Sequence, residues 1–130
     1  MKIYDCTTYY SEDLMLDVRF NILDENVHKF IVVESLFSHS GNKKKLNFDI
    51  NNFRKFKDKI VYLVIENEPE NIDFAYGKDT PSHIKRLNSL KRIEQSYDYM
   101  RKGIAEASDE DLIILSDNDE IPNLKSREFL

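Results

Sequence analysis

The chain has 130 residues, 41% of them apolar and 33% charged, which suits one globular domain able to bury a core without covalent staples. Its net charge of −5 argues against a general nucleic-acid or anionic-membrane binder, and its single cysteine, Cys6, excludes an intrachain disulfide and a cysteine-built zinc site. No run approaches the roughly 20 apolar residues needed to span a bilayer, the N-terminus lacks a signal-peptide core and no Asn-X-Ser/Thr sequon occurs, so a cytoplasmic protein is expected.

Residues 2–6, Lys-Ile-Tyr-Asp-Cys, read as a first strand. Ser11 then offers an N-cap with Glu12 and Asp13 in the first turn, and Leu14, Val18 and Ile22 recur at helical spacing, widened by Met15 and Leu16; residues 12–24 are expected to be an amphipathic helix. Residues 29–34, Lys-Phe-Ile-Val-Val-Glu, are β-branched and nearly continuously apolar, the pattern of a buried parallel strand ending on a carboxylate. A polar loop follows over 35–47, turning basic at Lys43, Lys44 and Lys45, and 51–56 suits a short helix. Residues 59–65 predict a third strand, and 66–80 a second long loop with Pro69 and Gly77. Thr80-Pro81 supplies a cap and a first-turn proline for a helix over 81–107, with Ile84, Leu87, Leu90, Ile93, Tyr97 and Met100 along its apolar face. Residues 111–116 are a fourth strand. The order β-α-β-loop-β-loop-α-β predicts an α/β fold with an open, mainly parallel sheet flanked by helices.

The last strand delivers Asp117, Asp119 and Glu120 at its C-terminal end, where open α/β sheets bind ligands. Three carboxylates this close repel one another, and a hard divalent cation would neutralise them. Alternation along an extended backbone puts Asp117 and Asp119 on one side, within reach of a single ion. A solvated acidic turn is the competing reading. An EF-hand is disfavoured because Pro122 takes the sixth position, which needs Gly, and a haloacid-dehalogenase-type motif because Ile121 stands where Thr is needed. Neither a P-loop nor a dinucleotide fingerprint occurs around Gly41. The 43–45 lysines are either a phosphate-binding or a solvated basic loop. Glu34 either accepts hydrogen bonds from a sugar or base or is a surface carboxylate at a strand end. Arg86 and Arg92 are alternatives for reaching a diphosphate from the long helix. His28, His39 and His83 have no metal-ligand spacing, and no Ser-His-Asp or Cys-His arrangement can be argued.

Lys2-Ile-Tyr-Asp-Cys, the Glu12 to Leu23 helix, Phe30-Ile-Val-Val-Glu-Ser35, Ser40-Gly41, Lys59-Ile-Val-Tyr62 and above all Leu112 to Pro122, with its Ser-Asp-X-Asp-Glu-Ile-Pro ending, resemble glycosyltransferase family 17 in order over nearly the whole chain. That family includes the β-1,4-mannosyl-glycoprotein β-1,4-N-acetylglucosaminyltransferases and bacterial and phage relatives. The resemblance implies a GT-A (Rossmann-like) fold that transfers a sugar, with inversion, from a nucleotide-sugar (a UDP-sugar first) to a glycan or other hydroxyl acceptor. It implies a divalent metal, Mn2+ or Mg2+, on Asp117 and Asp119, which are the metal and donor residues by that similarity; Glu34, Thr7, Lys43 and Arg92 are expected beside Asp117 in the donor-binding set. The 130 residues then form one nucleotide-sugar-binding domain, with the acceptor half and the catalytic base expected outside them. A non-catalytic nucleotide- or metal-binding module is the alternative. The stretch Arg92-Ile-Glu-Gln-Ser-Tyr97 departs from the family pattern in having Ser96 where an arginine is usual, and Asn118 replaces the commoner valine.

Overall fold

The computed structural model describes residues 1–126. Its strands are β1 (Ile3–Thr8), β2 (Lys29–Ser35), β3 (Ile60–Ile65) and β4 (Leu112–Leu115), joined through helix α1 (Asp13–Leu23), a segment of 3-10 turns kinked at Phe53 (Ile50–Lys59) and helix α2 (Ser82–Gly103). All strand pairs are parallel and the order is β3-β2-β1-β4, so the expected open α/β, Rossmann-like sheet is what the chain forms.

Alternation along β2 divides the core. Phe30 and Val32 face α1 and the 3-10 segment, meeting Leu16, Phe20, Leu23, Phe53 and Phe56. Ile31 and Val33 face α2, meeting Met100 with Tyr4, Cys6 and Ile65. All four residues of Phe30-Ile-Val-Val33 are therefore buried, as a strand covered on both faces requires. On the first face Phe20 packs on Phe30 at 4.4 Å and on Phe53 and Phe56 at 5.4 Å between ring centroids. Such pairs add about 0.5–1.5 kcal/mol each beyond their area.

Both helices turn inward a face that only partly matches the apolar spacing: Leu16 and Met100 of the expected sets are buried, and the rest of each buried line is different. In α1 the buried set is Leu16, Arg19, Phe20 and Leu23, whereas Leu14, Val18 and Ile22 are exposed. Two stripes compete in this helix, and the one carrying Phe20 wins because its ring completes the aromatic cluster. In α2 the buried line is Asn88, Arg92, Ser96 and Met100, with Leu87, Leu90 and Tyr97 outside. Here polar residues turn inward because two loops, not the sheet, cover the first half of the helix. The caps differ too. Glu12, not Ser11, precedes α1 and turns its carboxylate back to the Tyr10 and Ser11 N–H groups, and the Thr80 hydroxyl donates to the Gly77 carbonyl instead of capping α2. Helix α2 ends at Gly103, short of the expected Ala107. A Cβ at Gly103 would lie 2.6 Å from Ile31 Cγ1, so the glycine sets how closely the helix approaches the sheet.

Every strand presents its C-terminal end at the same edge of the sheet. The chain steps outward from β1 to β2 to β3, then returns to the other side of β1 for β4. The strand order thus reverses between β1 and β4, the crevice in which sheets of this kind bind ligands. None of the helices among the described residues is long and apolar enough to cross a membrane.

Candidate functional site

Beyond the last strand bond, from Ser116 N–H to the Cys6 carbonyl at 3.3 Å, the chain turns, with Glu120 N–H donating to the Asp117 carbonyl at 3.0 Å. The turn brings one carboxylate oxygen each of Asp117, Asp119 and Glu120 within 4.8 Å of one another, all on exposed side chains. An all-oxygen, all-anionic set with an open outer side matches hard ions such as Mg2+ and Mn2+, which take carboxylates, water and phosphate oxygens together. These residues fit a divalent metal. Asp117 and Asp119, named from the strand-end pattern, converge here, and Glu120 joins them.

Beneath the turn lies a residue that sequence reasoning missed. Arg19 of α1 is completely buried and forms a bidentate pair with Asp5 of β1, equally buried, with Nε to Oδ2 at 2.7 Å and Nη2 to Oδ1 at 2.6 Å. Its remaining N–H groups donate to Ser116 Oγ (2.5 Å) and to the carbonyls of Asp117 (3.0 Å) and Glu120 (2.7 Å). A charged residue in a helix offers no sequence signal of burial, and its partners lie 14 and about 100 positions away.

Along the same edge, at the ends of β1 and β2, is a cavity of about 330 Å3. The rings of Tyr9, Tyr10 and Phe37 line it together with Thr8, Ser35 and Lys44. Lys44 Nζ sits 5.1 Å from the centre of the Tyr10 ring. Of the loop lysines, Lys44 faces the cavity, while Lys43 is exposed and its backbone bridges to Phe37. Thr7 is buried in β1, its hydroxyl 3.3 Å from the Thr8 carbonyl, and Thr8 is the threonine at the cavity wall.

Glu34 is not a surface carboxylate. It is fully buried and accepts four hydrogen bonds, from Lys44 Nζ (2.6 Å), Asn47 N–H (2.7 Å), Phe48 N–H (3.1 Å) and the Tyr62 hydroxyl (2.7 Å). Burial alone would raise its pKa, but these bonds outweigh it, and the carboxyl titrates below its ordinary range. Glu34 thereby ties the basic loop down and fixes Lys44 beside the cavity.

Arg92 lines this cavity and also a more polar one of about 500 Å3 between the two long loops. Its guanidinium is paired with Glu68 (2.6 Å) and donates to the His39 carbonyl (2.8 Å), so it joins residues 35–47 to residues 66–80. It passes so near Gly41 (φ 89°) that a Cβ there would be 2.4 Å from Nη2. Arg86 is exposed. Ser96, one turn beyond Arg92, reaches the cavity wall with a small side chain that donates to the Arg92 carbonyl.

A family model described as glycosyltransferase family 17 matches residues 1–130. Neither the curated proteins nor the solved structures compared with the chain give a match.

Proposed function

We propose a metal-dependent donor site for this chain, which belongs to glycosyltransferase family 17 and is therefore an enzyme of sugar transfer. The family implies a nucleotide-sugar donor and a glycan acceptor in general terms. Our reading is a GT-A donor domain taking a UDP-sugar. The nucleoside lies in the aromatic cavity against Tyr10 and Phe37, the diphosphate crosses the β1–β4 crevice, and its oxygens approach the acidic turn. Asp117 and Asp119, with Glu120 beside them, hold Mn2+ or Mg2+. Lys44, Lys43 and Arg92 supply positive charge on the loop side, Thr8 forms the wall at the end of β1 with Thr7 buried behind it, and Glu34 positions Lys44.

When bound, the metal ion neutralises charge that develops on the departing nucleoside diphosphate. The chain's own part is to bind and orient. The acidic turn fixes where the diphosphate ends, and the cavity fixes the nucleoside, so the anomeric carbon is presented away from the sheet edge. In an inverting transfer the acceptor oxygen bonds to that carbon, the bond to the diphosphate breaks on the opposite face, and a carboxylate base takes the hydroxyl proton. The observation that carries this reading is the convergence of three carboxylates at the switch-point edge that also holds the aromatic cavity. Titration calorimetry with UDP, with and without MnCl2, tests it. Binding should need the metal and be lost in Asp119→Ala. Metal-independent binding, or binding that survives this substitution, would refute the metal site.

A further inference from the structure

We propose that Arg19, clamped by Asp5, is the positioning residue of the acidic turn, making its carboxylates converge without spending their charge. The inference rests on the metal reading of Asp117 and Asp119 given above. All five guanidinium N–H donors are engaged: two on Asp5, one on Ser116 Oγ, and two on the carbonyls of Asp117 and Glu120. Drawing these carbonyls inward closes the backbone around the guanidinium and leaves the side chains of 117, 119 and 120 on the outside. Three carboxylates within 4.8 Å push the turn open, so something must hold it shut before any cation arrives.

Arg19 does this through backbone oxygens, and its own charge is matched by Asp5 at 2.6 Å. The pair is close to neutral, so the cluster's negative charge remains available to a cation. A buried ion pair is a poor source of stability when weighed against apolar residues of the same volume. Its value here is geometric, since a planar fork can span three strand-end groups and a carboxylate together, whereas lysine offers a single point. The device also links β1 and α1, the first unit of the fold, to a turn about 100 residues later.

Mn2+ binding by the whole chain, followed through the EPR signal of free Mn2+ with MnCl2 alone, tests this in the wild type, Arg19→Lys, Ser116→Ala and Asp119→Ala. Urea midpoints and far-UV circular dichroism identify the folded variants. Wild type should bind and Asp119→Ala should not. Folded Arg19→Lys should bind about tenfold or more weakly, the usual loss when a supporting partner of metal ligands is removed, and Ser116→Ala should also bind more weakly than wild type, by less than Arg19→Lys. Native Mn2+ affinity in a folded Arg19→Lys overturns the proposal; if that variant does not fold, native affinity in Ser116→Ala overturns it. A wild type that binds no Mn2+ overturns the metal reading itself and this inference with it, an outcome visible in the wild-type arm alone.

Discussion

Replacing Glu34 by glutamine keeps the side chain's size and removes one property, its charge. In the native protein each carboxylate oxygen accepts two bonds: Oε2 from Lys44 and Asn47, Oε1 from Phe48 and Tyr62. A glutamine can offer an acceptor oxygen to only one of these pairs. If its oxygen stays with Lys44 and Asn47, its amide confronts the Phe48 N–H, while the Tyr62 hydroxyl rotates to accept. One buried donor is then orphaned, which costs about 1–3 kcal/mol. Lys44, only 10% exposed, also loses its counter-charge. Breaking a buried pair costs about 3–5 kcal/mol when the survivor is trapped, but Lys44 keeps the Lys45 carbonyl at 3.0 Å and lies near solvent. A total loss of about 2–4 kcal/mol is therefore expected for Glu34→Gln. Urea unfolding at pH 7 of the wild type, Glu34→Gln, Lys44→Met and the double variant measures it. The coupling energy should exceed about 1 kcal/mol, as for residues sharing one network. The pH dependence carries a sign check. The folded carboxyl titrates below its ordinary value, so its contribution is complete above about pH 4.5, the unfolded value, and fades as pH falls through the lower folded value. Glu34→Gln should thus narrow its gap to wild type below pH 4.5. A loss under 0.5 kcal/mol at pH 7, well below the estimate of about 2–4, or a gap that widens on acidification, would refute the reasoning.

Two further outcomes follow from the α2 face of the sheet. Gly103→Ala should destabilise the fold by about 1–2 kcal/mol in urea, because overpacking against Ile31 outweighs the helix propensity gained; a stabilised variant would mean that the helix shifts freely over β2. Burial, and after it the neighbouring Asp5 charge, pushes the Cys6 thiol up to about 12. The native protein should therefore ignore a disulfide reagent at pH 8 and react once unfolded, and rapid labelling under native conditions would contradict the packing around β1.

The strands were legible because residues 30–33 and 60–65 are near-continuous apolar runs, which a sheet covered on both faces demands. The acidic turn was legible for a related reason, as carboxylates placed directly after such a run must emerge at the sheet edge. The helix faces were not. Spacing alone could not choose Leu16, Phe20 and Leu23 over Leu14, Val18 and Ile22, since both stripes have helical period; the choice lies in the size of Phe20 and in what β2 places opposite it. Arg19 was hidden for a deeper reason. Burial of a charge depends on a partner, and Asp5 reads in the sequence as one polar residue of a short strand. In the 35–47 loop a lysine's position in the sequence did not tell which one faces inward. A local bridge between Phe37 and Lys43 and the bond that Lys44 donates to Glu34 bring Lys44 to the cavity.

Strand β4 has only four residues and, at the edge of the sheet, pairs among the described residues with β1 and no other strand. Its Leu115 is 53% exposed. Local openings of a protein begin at such thinly attached elements and need far less free energy than global unfolding. When β4 lifts from β1, the Arg19 contacts to the Asp117 and Glu120 carbonyls go with it, and the acidic turn loses the bonds that shape it. The lifetime of the three converged carboxylates is therefore that of one short strand's attachment, and a ligand that bridges the turn to the end of β1 would slow exchange of the β4 amides well before it raised the melting temperature.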